Sequence, residues 1–124
     1  MKAILHICIT GVICIFILAC ASSSSQRIGQ SSYPSQPDTT EVLVFTSDTQ
    51  IKDKFETIGI ISHNNPGKYR ILTIESAIEP LKQQARQLGA NAIIIDKSYP
   101  VKSGIISTGI YVEARAILIR PNSK

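Results

Sequence analysis

Few side chains in this sequence are of the types that carry chemistry, and the spacing does not group them. His63 is the only histidine after the N-terminal apolar block, and the turn-forming residues around it predict that it lies in a turn. A transition-metal site needs three or four nitrogen or sulfur ligands. Asp48, Asp53 and Glu56 offer oxygen to a hard cation, but a solvated loop and strand edge explain them equally. We predict no metal and no cofactor.

Catalysis is equally hard to support from the residues present. Acid–base or nucleophilic chemistry requires a serine with histidine and a carboxylate, or two facing carboxylates. Asp96 and Glu113 are the best candidates for a facing pair, because we expect them on neighbouring strands. A charged pair on a solvated sheet face accounts for them as well. The sequence therefore predicts no catalytic residue and no enzyme.

Cys20 carries the most specific signal in the chain. Lys2 precedes a charge-free, isoleucine-rich block over residues 3–19, which is the pattern of an export signal. The block ends in Ile17-Leu18-Ala19-Cys20, which resembles the bacterial lipobox, where lipid is attached to the cysteine and the chain is cleaved before it. We predict a cleaved signal peptide over residues 1–19 and a palmitate-type lipid anchor on Cys20, with each buried methylene contributing about 0.8 kcal/mol to membrane binding.

An uncleaved membrane helix is the alternative interpretation of the same block, since ~20 apolar residues are enough to span a bilayer. His6, Thr10 and Gly11 interrupt the block, and no lysine or arginine follows it until Arg27. Those features favour the lipoprotein signal. Cleavage would also remove two of the three cysteines, so the exported chain would have no disulfide.

Length and charge set the remaining limits. The chain has 124 residues and a formal net charge of +4, which is enough material for one small domain and excludes a multidomain enzyme. Its basic residues are scattered and have little aromatic interleaving, so we predict no nucleic-acid partner.

The order of elements follows from composition and periodicity. Residues 20–40 are rich in serine, glutamine and proline and poor in apolar side chains, so we predict a disordered tether there. The folded domain is predicted over residues 41–121. Its first two strands are expected at 42–45 and 55–62, with Gly59 marking a bulge or a close backbone approach.

The strongest helical pattern is an apolar stripe followed by a stop signal. The stripe is spaced four and three residues apart and consists of Ile74, Ile78, Leu81, Ala85 and Leu88. Ser76 and Glu79 match a capping box at its start, and Pro80 is expected in or next to the first turn. Gly89 is predicted to end the helix in the left-handed conformation, and Asn91 is predicted to bond to the backbone of this turn.

Two more strands complete the predicted fold. The aliphatic run 92–95 predicts a strand covered on both faces that ends at Asp96-Lys97, and alternation predicts a last strand over 110–119. The order is then β-β-α-β-β. We predict an α+β class, as one small domain with a single helix packed on a mixed sheet.

The segment Leu88-Gly89-Ala90-Asn91-Ala92 running into an aliphatic strand resembles the RcsF-like and YbjQ-like small domains. The strands at 42–46 and 55–62, together with a lipid-bearing cysteine and a polar tether, are similar to the RcsF-like lipoproteins over nearly the whole chain. That family is held by disulfides, whereas residues 21–124 contain no cysteine, so a redox role is not carried over. The resemblance implies an outer-membrane lipoprotein that meets other envelope proteins, and Ala21 after the cysteine is similar to the outer-membrane sorting pattern of Gram-negative bacteria.

Three functional hypotheses remain open at this point. The first is a non-enzymatic envelope lipoprotein with a stress-sensor-like or interaction domain. The second is a structural homo-oligomer that pairs through the sheet face or through an edge at Ile117 and Ile119. The third is a ligand- or metal-binding module.

Overall fold

One helix packs on a five-stranded sheet in the computed structural model, which describes residues 21–67, 70–103, 105 and 107–121. This confirms the predicted α+β class. The predicted signal peptide and Cys20 lie outside the described residues. In chain order the elements are β1 (Ser22–Arg27), β2 (Leu43–Phe45), a 3₁₀ turn (Asp48–Gln50), β3 (Lys54–Asn65), α1 (Glu75–Leu88), β4 (Ala92–Ser103) and β5 (Ser107–Arg120).

The sheet is mixed, in the order β1-β3-β5-β4-β2. β2 and β4 run parallel, and the other neighbouring strands are antiparallel. β3 and β4 both lie beside β5, so the connection through α1 passes over the central strand.

The helix buries one apolar side against the sheet. Ala77, Leu81 and Ala85 are fully buried there and Leu88 nearly so, which confirms three members of the predicted stripe. Ile74 and Ile78 are only partly buried, because the helix is rotated so that Ala77 faces the sheet instead. The strands contribute Ile61, Ile93, Val112, Ala114 and Ala116 to the same core.

The start of α1 differs from the prediction. Ile74 already has helical dihedrals (φ −57°, ψ −34°), and no side chain caps the helix. The predicted capping box is therefore wrong, and the Ser76 hydroxyl instead donates to the Thr73 carbonyl at 2.6 Å. The earlier start places Pro80 in the second turn, where it removes the amide that would bond the Ser76 carbonyl.

The segment predicted as a disordered tether also differs. β1 pairs with β3 over six positions, from Ser22 opposite Asn64 to Arg27 opposite Gly59. All six β1 side chains are exposed. An edge strand is held by its backbone hydrogen bonds and needs no apolar face of its own, which is why a polar, serine-rich composition did not reveal it.

Residues 33–40 continue this contact by lying on the C-terminal end of α1. The backbone amide of Gln36 donates to the Arg86 carbonyl at 2.7 Å, and the Ser35 hydroxyl donates to the Gln87 carbonyl at 2.9 Å. In return, Arg86 Nε donates to the Thr40 carbonyl at 2.9 Å. The last turn of a helix leaves carbonyls without intrahelical partners. Ser35 occupies that of Gln87, and Gln36 shares that of Arg86 with the Gly89 amide, so the segment closes the helix end.

Two strands extend past their predicted ends. β3 runs to Asn65, so His63 lies in a strand and not in the predicted turn. β4 does not end at Asp96-Lys97, because a bulge between Ile95 and Lys97 lets pairing with β5 continue to Ser103. The predicted irregularity at Gly59 is confirmed, since the register of β3 against β5 shifts between Thr57 and Gly59.

The face opposite the helix carries a second, smaller core. Ala92, Ile94 and Ile117 are buried there, and Phe45, Ile51, Phe55 and Ile119 pack against them. The run 92–95 is thus covered on both faces at its start, as predicted. Within the described part of the chain, no helix combines the length and apolar character needed to cross a bilayer.

Candidate interaction surface

Half of the sheet face opposite α1, the half nearer the β4–β5 turn, carries no second layer formed by the described residues. We call this surface the open face. Alternation along β5 explains its composition, because Val112 and Ala114 point to the helix while their neighbours point away. Cross-strand pairing brings the matching residues of β3 and β4 alongside. The open face consists of Ile60, Ser62, Lys97, Tyr99, Tyr111, Glu113 and Arg115.

Two tyrosines stack at the centre of the open face. Tyr99 and Tyr111 are directly paired across β4 and β5, with ring centroids 4.8 Å apart and an interplanar angle of 24°. The Tyr111 hydroxyl donates to Glu113 Oε2 at 3.2 Å. Partial burial, together with that hydrogen bond, raises the pKa of Tyr111. Tyr99 is 50% exposed, so one ring of the stack is available to another molecule.

An ion pair lies next to the tyrosines. Lys97 Nζ is 2.9 Å from Glu113 Oε1, across the same pair of strands. The hydrogen bond from Lys97 lowers the pKa of Glu113, and the reverse contact raises the pKa of Lys97. Both groups are therefore charged at neutral pH and held at fixed positions on the face.

Arg115 connects the sheet to the 3₁₀ turn. Its Nη2 lies 2.6 Å from Asp48 Oδ1, and its Nε lies 2.9 Å from Asp96 Oδ2. These contacts raise the pKa of Arg115 and lower the pKa of Asp48. Asp96 and Glu113, the candidates for a facing pair, thus bond to different basic residues, Arg115 and Lys97.

The open face continues toward β1 with smaller side chains. Ile60 is 40% exposed, and the hydroxyls of Ser24 and Ser62 are hydrogen-bonded at 2.9 Å. The surface therefore combines an aromatic stack, an exposed aliphatic group and fixed charges of both signs. This chemistry suits recognition of a protein surface, since tyrosine and arginine are enriched at such interfaces.

His63 lies on the opposite side of the sheet from these groups. Its side chain is buried, its Nδ1 is 2.9 Å from the Ser23 hydroxyl, and burial lowers its pKa. In the described part of the chain, no carboxylate is bonded to it in the manner of a catalytic triad. The contact with Ser23 ties β1 to β3.

The residues considered for a hard cation are separated. Asp48 is bonded to Arg115, whereas Glu56 accepts hydrogen bonds from Tyr33 at 2.8 Å and Arg120 at 3.2 Å. Asp53 borders a shallow groove beside β2 and has an interaction of its own. Among the residues that the structure describes, no three histidine, cysteine, aspartate or glutamate side chains are placed to hold a metal ion.

Gly89 and Asn91, the two residues predicted to shape the turn after α1, make different contacts. Gly89 has φ +89°, and a Cβ there would lie 2.6 Å from Tyr33 Cβ. Asn91 makes a two-way contact with Ile119, because its Nδ2 donates to the carbonyl at 2.9 Å and its Oδ1 accepts from the amide at 2.8 Å. The amide side chain thereby continues the pairing of the sheet beyond β4.

Sequence reasoning missed part of the open face. Tyr99 was not identified because the strand containing it was predicted to end at Lys97. The signal that was present is the alternation of Tyr111, Glu113 and Arg115 with buried residues. The predicted oligomer edge at Ile117 and Ile119 is wrong, because β5 is the central strand of the sheet and Ile117 is fully buried.

No protein-family model matches this sequence, and no curated protein matches it. Among solved structures, the chain is similar to the crystal structure of a Francisella virulence factor, FvfA, in the orthorhombic form. The sequence identity is 12%, the TM-score is 0.47, and the match covers 77% of this chain and 97% of that chain. A likeness at that level carries no functional argument.

Proposed function

We propose that this chain is a non-enzymatic envelope lipoprotein, anchored by lipid on Cys20, whose α+β domain binds an envelope protein through the open face. The observation that carries the proposal is the stacked Tyr99–Tyr111 pair, one ring of it half-exposed, beside fixed charges on a surface without a second layer from the described residues. The RcsF-like resemblance of the sequence points in the same direction.

The composition of the open face supports binding over mere solvation. A cross-strand aromatic pair stabilises the sheet itself, and its half-exposed ring also leaves a large tyrosine contact area, at low conformational cost, open to a partner. Arg115, Lys97 and Glu113 are already held by ion pairs, so a partner would meet charges whose positions are set in advance.

The anchor rests on the sequence. The lipobox-like segment ends at Cys20, and Ala21 follows it in the pattern of outer-membrane sorting. Attachment by several acyl chains gives stable anchoring. In this proposal the protein is held at the outer membrane of a Gram-negative host and meets its partner there.

Photo-crosslinking in cells tests the proposal directly. A photoreactive phenylalanine analogue replaces Tyr99 on the open face, and the matched control places it at Gln83, which is exposed on the outer side of α1. We expect a discrete heterologous adduct from position 99, identified by mass spectrometry, that is absent from position 83 and lost in the Cys20→Ser background. Equal adducts from both positions, or an adduct unaffected by Cys20→Ser, would contradict the proposal.

The same experiment separates the other hypotheses. Adducts of the chain with itself from position 99 alone would assign the open face to a homo-oligomer, and light scattering would then give a mass above that of the monomer. A ligand- or metal-binding module would instead show a rise in Tm on addition of the ion or ligand. The described residues offer no preformed cluster for a metal.

A further inference from the structure

Among the residues that the structure describes, the two most exposed large apolar side chains lie at one end of the sheet. Ile105 is 103% exposed and Ile71 is 79% exposed. Ile105 lies in the turn that joins β4 to β5, and Ile71 forms a bridge with Thr108 of the same hairpin. This bridge consists of two backbone bonds, from the Leu72 amide to the Thr108 carbonyl at 2.9 Å and from the Thr108 amide to the Arg70 carbonyl at 3.2 Å. We call Arg70, Ile71, Lys102 and Ile105 the hairpin end.

The hairpin end is also basic. Arg70 and Lys102 are exposed, and the chain segments 57–74 and 98–112 contain no aspartate or glutamate. The carboxylate nearest to Arg70 along the chain is Glu75, at the start of α1, and the one nearest to Lys102 is Asp96, which is bonded to Arg115. Exposed isoleucines beside exposed cations match the boundary of a bilayer that contains anionic lipid.

The path of the chain places the proposed lipid anchor at this same end. β1 runs antiparallel to β3, and its first residue, Ser22, lies opposite Asn64 near the end of β3. Asn65 in turn lies opposite Ile110 of β5. Cys20 is two residues before Ser22, so at most about 7 Å of chain separates them. β5 continues past Ile110 to its first residue, Ser107, three residues or about 10 Å further in the same direction, and Ile105 lies in the turn before it.

We propose that the hairpin end lies against the surface of a bilayer that contains anionic phospholipid. The inference rests on the proposed lipid attachment at Cys20 for its orientation. Anchor and hairpin end then form two contacts on one side of the domain and set its orientation. The open face and α1 lie along the sides of the domain, where an envelope protein reaches them.

Site-specific fluorescence quenching tests the contact. Ile105→Cys carries an environment-sensitive fluorophore in the full lipidated protein, reconstituted into vesicles with nitroxide-labelled acyl chains. Gln83→Cys, on the exposed side of α1, is the matched control. In vesicles with phosphatidylglycerol we expect the label at 105 to be quenched at least three-fold more than the label at 83. Ile71→Cys serves as a second position and should give the same order.

The charge dependence sharpens the same test. Replacing Arg70 and Lys102 with glutamine should reduce quenching at position 105 by at least half in phosphatidylglycerol vesicles, and high salt should have the same effect. Vesicles of phosphatidylcholine alone should give weaker quenching than the anionic ones. Equal quenching of labels 105 and 83 in the anionic vesicles would overturn the proposal.

Failure of the membrane contact and failure of the proposed function give different results. The mass of the purified protein reports lipid on Cys20, and crosslinking from Tyr99 reports the partner. Lipidated protein without preferential quenching at 105 contradicts the membrane contact alone. If the mass shows no lipid, the labels are placed in the Cys20→Ser background and mixed with the same vesicles. Preferential quenching at 105 then supports a contact without an anchor, and its absence overturns the contact as well.

Discussion

The two faces of the sheet differ most clearly at two neighbouring residues of β3. Ile61 faces α1 and is fully buried, whereas Ile60 lies on the open face and is 40% exposed. The covered face is almost entirely apolar, and the open face pairs charges and aromatic rings at the solvent boundary. Alternation along a strand thus lets one sequence segment serve stability on one side and, in the function we propose, recognition on the other. The predictions below test this division.

The largest expected effect comes from the two isoleucines themselves. Ile61→Ala should lower the free energy of unfolding by about 2–5 kcal/mol, because it leaves a cavity beneath α1. Ile60→Ala should lower it by less than about 1 kcal/mol, because that side chain is partly solvated. Urea denaturation of both variants measures the difference. Equal losses would show that the open face is a core surface, and the division between the faces would fail.

The next largest loss of stability is expected at the C-terminal end of α1, where residues 33–40 pack on the helix. Gly89→Ala should cost about 2–3 kcal/mol, since the residue adopts positive φ and the added methyl meets Tyr33. Gly29→Ala is the matched control, because Gly29 also has positive φ (+82°) but has nothing within 4 Å of an added Cβ. The excess loss at position 89, measured by thermal denaturation, reports the packing of residues 33–40 on α1. No excess would mean that this packing adds nothing.

His63 gives the covered face its own dependence on pH. Burial lowers its pKa from the ordinary 6.5, so the folded protein binds the proton less readily than the unfolded chain does. Its contribution to stability is complete above pH 6.5 and is lost as the pH falls through 6.5 toward the folded pKa. Urea denaturation between pH 7.5 and 5.5 should show this decline in the wild type and a flatter profile in His63→Gln. Parallel profiles would exclude His63 as the cause.

The open face should respond to acid in a lower range and by a smaller amount. The hydrogen bond from Lys97 lowers the pKa of Glu113 from 4.5, so this contribution is present above pH 4.5 and is lost below it. We expect the Tm of the wild type to fall more steeply below pH 4.5 than that of Lys97→Gln. Lys82→Gln on α1 is the control and should follow the wild type. A Lys97→Gln curve parallel to the wild type would remove the pair as a stabilising contact.

Much of the covered face could be predicted from the sequence, because burial on one side of a helix or strand spaces the apolar residues at regular intervals. Leu81, Ala85 and Leu88 follow the helical period, and the alternation of β5 separates its two faces. The same reasoning failed for β1, since an edge strand is stabilised by backbone bonds that any side chain permits. β1 is formed by Ser22–Arg27, and its composition resembles that of a disordered segment.

The open face could be predicted only in part from the sequence, for a related reason. Its position depends on the continuation of β4 past the bulge at Asp96, and that continuation is decided by pairing with β5 and not by local propensity. Asp96 and Lys97 indicate a strand end when the partner strand is unknown. The ion pair with Glu113 and the stack with Tyr111 become visible only once the two strands are aligned.

The register of β1 has a mechanical consequence. The strand lies along β3, and its first residue is the one nearest to Cys20. A pulling force from an anchor at Cys20, with the rest of the domain held, acts along the strand and perpendicular to its hydrogen bonds. All six residue pairs then bear the force at the same time, which is the shear geometry. A force across the strand would instead break the pairs one after another, which is the unzipping geometry. An anchor at Cys20, as we propose it, would thus load the β1–β3 pairing in shear, the direction in which the pairing resists most.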